Sequence, residues 1–206
     1  MAAVDLKKAQ KWLYTPSAKE VAIVDVLPMQ FLMVDGSGDP NSSSDYAAVV
    51  EALFTYAYAL KFRVRAEQGI DYGVLPLEGL WWTADMAQFS ADRKGEWKWT
   101  MLIAQPEYVD AALVGRVREQ VMKKVGAGMV ARVRFDVYDE GRAAQIMYIG
   151  PYAAEAAAIA RVHAFIAANG YVLHGKHHEI YLKDMRRTAP EKLATIIRQP
   201  CRLPNR

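Results

Sequence analysis

The pattern of apolar and polar positions changes period several times along this chain, and each change predicts an element. "VAIVDVLPMQFLMVDGSG" (21–38) is β-rich, interrupted by Pro28 and closed by glycines. A proline inside such a run predicts an edge or a bulge. "DPNSSSDYAAVVEALFTYAYALKF" then shifts to helical spacing, with Tyr46, Val49, Val50, Leu53, Ala57 and Leu60 recurring behind Ser and Asp capping candidates. The spacing predicts a helix from about Ser44 to Arg65. "DYGVLPLEGLWW" and "EWKWTMLIAQP" predict two strands joined by a polar loop from Asp85 to Gly95. A second helix is expected from about Asp110 to Lys124, with basic residues in its last turn as the helix dipole favours.

"ARVRFDVYDEGRAAQIMYIG" has two alternating runs around Asp139-Glu140-Gly141, which is the signature of a hairpin. "PYAAEAAAIARVHAFIAANG" is an Ala-rich helix with Pro151 at its start, Gly170 just past its end, and a buried stripe of Ile159, Val162 and Ile166. "HGKHHEIYLKD" predicts another strand, and "PEKLATIIRQP" a last short strand before a polar tail. The first twenty residues, with Lys7, Lys8, Lys11 and Trp12, form a short amphipathic lead-in.

The order strand, helix, strand, strand occurs from Val21 to Pro106 and again from Ala143 to Pro200. Local strings match in the same order: "MVDG" with "MYIG", Tyr46 with Tyr152, "LEGLW" with "HEIYL", "LIAQP" with "IIRQP". Such self-similarity predicts an internal repeat, so that residues 1–206 form a single domain built from two βαββ copies, about 21–106 and 143–200. The expected fold is α+β: duplicated βαββ units forming an antiparallel sheet, with helices on one face and a ligand cleft on the other. Side chains at i and i+2 share a sheet face. Ile180 and Leu182 then meet the helices while Glu179 and Tyr181 face the cleft. Leu77 and Trp81 share one face of the earlier strand, and Glu78, Leu80 and Trp82 the other. In the repeat Glu78 falls opposite Glu179.

Composition narrows the picture. A chain of 206 residues with 52% hydrophobic and 24% charged residues is an ordinary globular sequence. Its net charge of +3 and lack of a long Lys/Arg run give no reason to expect nucleic acid. The lone Cys201 rules out an intrachain disulfide and suits a reducing compartment. No apolar signal region opens the sequence and no run of about 18 apolar residues predicts a membrane span, so a cytoplasmic protein is expected. No protein partner can be named from the sequence.

The strings "FLMVDGSGDPN", "PLEGLWW", "EWKWTMLIAQP", "QIMYIGPY", "GKHHEIYL" and "PEKLATIIRQP" together resemble the GyrI-like small-molecule-binding family, from about Leu6 to Pro200. The similarity is greatest to its stand-alone members, which lack a fused DNA-binding domain. The resemblance implies a SOUL-like fold and a cleft for planar, often cationic, aromatic compounds. It also implies that Glu179, in "HHEIYL", contacts the ligand. One stand-alone subgroup resembles the chain more closely still: cyclopropanoid cyclohydrolases, which open the cyclopropane of DNA-alkylating compounds inside an aromatic cage. That implies a hydrolase acting on xenobiotics. "QIMYIGPY" departs from the subgroup, which often carries histidine where this chain has Tyr148.

The residues suit that chemistry. Adding water to a spirocyclopropane conjugated to a dienone releases strain and needs a flat site, a polarised carbonyl and a positioned water. Glu179 or Glu78 can orient or deprotonate the water, and Tyr181 can donate to the carbonyl. Trp82, Trp99, Tyr148, Tyr152 and Leu80 are candidates for the walls. No metal or organic cofactor is required. Other readings stay open. Aromatics on strands are more often core than cage, Trp81 belongs to the helix-facing parity, and Glu78 can equally accept hydrogen bonds that tie the structure together. His177 and His178 point to opposite faces and make no metal pair. A non-catalytic binder or sensor is the alternative to the enzyme. Inhibition of a partner such as DNA gyrase is suggested by the family name alone.

Overall fold

In a computed structural model that describes residues 4–86 and 91–204, the lead-in is two single helical turns, α1 (Leu6–Ala9) and α2 (Lys11–Tyr14). Lys7, Lys8 and Lys11 are exposed, while Leu13 and Tyr14 are buried. Pro28 does not bend a strand. It sits in the break between β1 (Ala22–Val26) and β2 (Met29–Ser37), where the chain leaves one compact unit for another. Those units are residues 1–6 with 29–138, and residues 7–28 with 139–206.

The first unit contains β2, α3 (Ser44–Gln68), β3 (Leu77–Trp82), β4 (Lys98–Ala104), α4 (Ala111–Val125), α5 (Ala127–Arg132) and β5 (Arg134–Tyr138). Ser43 caps α3 by accepting from the Tyr46 amide at 3.1 Å. The helix runs three residues beyond the expected Arg65 and ends where Gly69 takes a left-handed φ of 70°. Asp110 caps α4 in the same way, accepting from Leu113 at 2.7 Å. Part of the expected Asp85–Gly95 loop, residues 87–90, lies outside the described residues. Two short helical turns within Ala91–Glu96, broken at Arg93, follow it.

All strand pairs of this unit are antiparallel: β5 with β2, β2 with β4, β4 with β3. Leu32, Val34, Leu53, Leu60, Met101 and Ile103 are fully buried. Trp99 is fully buried too, opposite Gly36 across the β2–β4 ladder. A Cβ at Gly36 would fall inside the benzo ring of Trp99.

The second unit contains β1, β6 (Gly141–Ile149), α6 (Ala156–Ala168), β7 (Val172–Leu173), β8 (His177–Tyr181) and β9 (Ala194–Arg202). Its strands pair β1 with β6, β6 with β9 and β9 with β8, with the short β7 on the far end of β9. Pro151 opens a single helical turn, Tyr152–Ala154, and α6 itself starts only at Ala156. The core under α6 is Ala144, Ile146, Val162, Ile166, Ile197 and Cys201. Cys201, expected in a polar tail, is therefore a buried strand residue, because β9 runs through Pro200 to Arg202.

The expected hairpin between β5 and β6 does not form. β5 pairs with β2 and β6 pairs with β1 and β9, although only Asp139 and Glu140 separate β5 from β6. Glu140 explains this. Instead of projecting from a solvated turn, it is 8% exposed, with a carboxylate that accepts from Arg198 Nη1 at 3.0 Å and lies 2.8 Å from His178 Nδ1. Arg198 also donates to Gln145 at 2.9 Å and to the Leu13 carbonyl at 3.1 Å, and Gln145 donates to the Trp12 carbonyl at 2.6 Å. A buried carboxylate must be paired, and this pairing anchors the chain crossing in the second unit. Among the described residues no helix is long and apolar enough to cross a membrane.

Two outcomes follow from this packing. Gly36→Ala overpacks the first unit and lowers stability by about 1–3 kcal/mol in urea denaturation, and Trp99→Phe in the same chain recovers part of the loss because the benzo ring is gone. Burial alone would raise the Glu140 carboxyl, but the charges of His178 and Arg198 and their hydrogen bonds outweigh it and hold the group down at about 2. A depressed native pKa stabilises above the ordinary value of 4.5, and that stability is lost as pH falls toward 2. Acid titration of the urea midpoint should show this limb in the native chain and lack it in Glu140→Gln. That variant also loses about 3–5 kcal/mol at neutral pH, because it strands the Arg198 charge.

Candidate functional site

The register of β8 on β9 decides which side chains can act together. Glu179 lies opposite Ile197, and Ile197 opposite Ile146. Both isoleucines belong to the core beneath α6. Residues directly opposite each other in a ladder project from the same face, so Glu179 is on the α6 side of the sheet, with His177 and Tyr181 two residues either way. The expected assignment, with Ile180 and Leu182 toward the helix and Glu179 and Tyr181 away from it, is reversed. Alternation correctly put these residues in two sets, but alternation alone does not say which set a helix covers.

On that face Glu179 is held from both sides. The Tyr181 hydroxyl donates to Oε2 at 2.7 Å, and His177 Nε2 lies 3.0 Å from Oε1. With Glu179 ionised, His177 donates through Nε2–H. A carboxylate has about four lone-pair sites, so two remain for a water or ligand proton. Glu179 is 8% exposed and His177 2%, whereas Tyr181 is only half-buried. The Tyr152 ring meets that of Tyr181 edge-on, with centroids 5.7 Å apart at 77°. Burial, and next the charge of Glu179, push the Tyr152 phenol up to about 12. It is therefore a protonated donor at neutral pH.

Tyr148 sits on the same face of β6, half-buried against the α6 core. Its hydroxyl is committed to the Pro151 carbonyl at 2.9 Å, and its ring occupies the space beside Gly150. His163 on α6 completes the surroundings. Its pKa is lowered by burial and then by His177, against a hydrogen bond with Gln199 that raises it.

The remaining expected residues lie in the first unit. Tyr46 on α3 stacks on Trp81 at 6.1 Å and meets Trp99 edge-on at 5.3 Å, so Trp81 and Trp99 face α3. Trp99 is core: it has no exposed surface, its ring covers Gly36, and Nε1 donates to the Gly38 carbonyl at 3.3 Å. It offers no wall to a ligand. Glu78, Leu80 and Trp82 share the opposite face of β3, with Glu78 and Leu80 buried and Trp82 half-buried. Glu78 and Glu179 are not equivalent positions. When Met33 is matched to Met147, the ladders align Leu102 with Ile196, and Glu78 with Ile180. A one-residue slip in the match reverses the face: Glu78 points away from its own helix, Glu179 toward it.

The structure adds His177 and His163 to the candidates. His177 was legible in principle, since i and i+2 parity puts it beside Glu179. His163 carried no signal beyond helical phase. Among the described residues no group of three or more His, Cys, Asp or Glu side chains is arranged to hold a metal.

The Glu179–Tyr181–His177 cluster thus lies beneath α6 on the helix-covered face of an antiparallel sheet. The chain belongs to the GyrI-like small molecule binding domain family, which matches residues 19–202. An uncharacterised conserved protein from Listeria innocua is 35% identical with a TM-score of 0.89, covering 97% of this chain and 100% of its own. A hydrolase from the same organism is 33% identical with a TM-score of 0.86, covering 98% and 100%. The C-terminal domain of EcmrR shares the fold at 12% identity and a TM-score of 0.58, covering 90% and 98%. No curated protein matches the chain.

The cluster's electrostatics can be tested directly. The difference between the alkaline ultraviolet titrations of the native chain and of Tyr152→Phe should place Tyr152 ionisation near 12. Glu179→Gln removes a neighbouring charge and lowers that midpoint, but leaves it above 10.0 because burial is the larger cause.

Proposed function

We propose that this chain is a hydrolase that opens the strained cyclopropane of planar aromatic, DNA-alkylating xenobiotics. The observation that carries the reading is Glu179: a buried carboxylate gripped by Tyr181 at 2.7 Å and His177 at 3.0 Å, with the protonated Tyr152 against the Tyr181 ring. The grip fixes the carboxylate in one orientation and leaves lone pairs to receive a proton. Membership in a small-molecule-binding family and whole-chain similarity to a Listeria hydrolase support it.

In the proposed reaction a water oxygen bonds to the cyclopropane methylene and the strained carbon–carbon bond breaks. Its electron pair flows into the dienone, whose carbonyl oxygen becomes a phenolate and then takes a proton. Glu179 accepts the proton that the water loses and returns it, through solvent, to the phenolate, which restores the carboxylate. Tyr181 or Tyr152 donates a hydrogen bond to the carbonyl oxygen as it gains charge. One water is added in all, and aromatisation and strain release drive the step. Neither a metal nor an organic cofactor takes part. Glu78 has no role in this scheme.

Incubation with a spirocyclopropyl-dienone compound should yield the phenol carrying one added water, followed by mass spectrometry. Glu179→Gln should slow turnover by roughly 10²–10⁴-fold, the range for a positioned acid or base, and Tyr181→Phe by less. Turnover no faster than in buffer, or undiminished in Glu179→Gln, rejects catalysis. Quenched tryptophan fluorescence with an intact ligand would instead identify a non-catalytic binder.

A further inference from the structure

The turn between β6 and α6 carries Tyr152 to the edge of the Tyr181 ring. Its backbone is fastened by both main-chain and side-chain bonds. The Gly150 amide donates to the Leu193 carbonyl at 3.0 Å, just ahead of β9. The Pro151 carbonyl accepts twice, from the Ala154 amide at 2.9 Å and from the Tyr148 hydroxyl at 2.9 Å. The bonds from Gly150 and Ala154 do not depend on side-chain identity. The bond from Tyr148 does, and it reaches from the end of the strand into the turn that the strand leads to.

Gly150 makes room for that bond. Its φ is 149°, and a Cβ there would lie 2.6 Å from the Tyr148 hydroxyl oxygen and 2.9 Å from Cζ. A side chain at 150 would therefore displace the phenol from the Pro151 carbonyl. The Tyr148 ring packs against the core beneath α6, a contact that does not need its hydroxyl. Ring and hydroxyl thus have separable tasks. Across the sheet Tyr148 on β6 and Tyr181 on β8 flank Thr195 on β9, so all three leave the same face. The turn brings Tyr152 against this row, edge-on to Tyr181, whose hydroxyl holds Glu179.

We propose that Tyr148 is a positioning residue of the Glu179 site: its hydroxyl clasps the Pro151 carbonyl and so fixes the turn that holds Tyr152 against Tyr181. One hydrogen bond within a short stretch of chain sets the direction of Tyr152 without bearing the stability of the whole unit. Tyr148 then acts on the site through Tyr152 and needs no contact with a ligand. Its effect on turnover rests on the hydrolysis proposed above, with Tyr152 donating to the carbonyl oxygen; its effect on the turn does not.

Tyr148→Phe in the full chain keeps the ring and deletes the clasp, and two readouts need no substrate. Hydrogen exchange of the Ala154 amide should quicken roughly two- to tenfold, the effect of losing one ordinary hydrogen bond. Val162, in the middle of α6, should keep its native rate. Tyr152 ionisation, taken as the difference between alkaline titrations of Tyr148→Phe with and without Tyr152→Phe, should fall from about 12 toward 10.0. Burial is the chief cause of the raised value, and a loosened turn admits solvent. With a spirocyclopropyl-dienone compound, Tyr148→Phe should slow turnover several-fold in the chain that has Tyr152 and not in Tyr152→Phe. An unchanged Tyr152 midpoint overturns the proposal. Exchange that quickens evenly along α6, or an equal loss of turnover in Tyr152→Phe, overturns it as well. Both physical shifts without any turnover reject the enzyme and uphold the clasp.

Discussion

The pleat of β8 is the constraint on which the second unit depends. Successive side chains on a strand must leave opposite faces, and the ladder to β9 fixes which residue leaves which way. His177, Glu179 and Tyr181 go to the α6 side with Ile197 and Ile146. His178 goes to the other side, in one row with Arg198 and Gln145. Two neighbouring histidines therefore enter different chemistry. His177 holds the carboxylate of the candidate site, and His178 joins the buried Glu140–Arg198 network.

That second row has a structural consequence. A buried carboxylate is costly unless paired, and Glu140 is paired twice. Arg198 spends further donors on Gln145 and the Leu13 carbonyl, and Gln145 reaches the Trp12 carbonyl. The N-terminal lead-in is thus fastened to the second unit by polar contacts to its backbone. The same row keeps the Glu140 segment from closing as a hairpin turn. The ladder that presents Glu179 is therefore braced, on its reverse side, by a network that tolerates no unpaired member.

Much of this was legible in the sequence. Helical period and caps located α3, α4 and α6, and strand alternation sorted Leu77 and Trp81 from Glu78, Leu80 and Trp82. Pairing was less legible, because it is not a local property. β5 and β6 look like a hairpin because they are adjacent and alternate, yet each finds its partners elsewhere. The match of Glu78 to Glu179 failed for a related reason. Short strings align equally well one residue out of step, and in a sheet one residue is the whole difference between faces. Cys201 was misplaced because Pro200 reads as the end of a strand, whereas it pairs with Ala143 inside one.

The aromatics show where exposure and burial part company. Trp99, a cage candidate when read as sequence, is occupied by the core over Gly36, and Trp81, whose parity already set it toward the helix, packs against Tyr46. Large rings on strands between helix and sheet are the natural filling of such a layer. Tyr152 and Tyr181 meet at the rim of the Glu179 cluster, while Trp82 on β3 is half-buried on the face away from α3. The two tyrosines are tied to the Glu179 carboxylate, Tyr181 through its hydroxyl and Tyr152 through its ring contact with Tyr181. Carboxylate and phenols therefore form one connected group and not a cage wall with a separate acid.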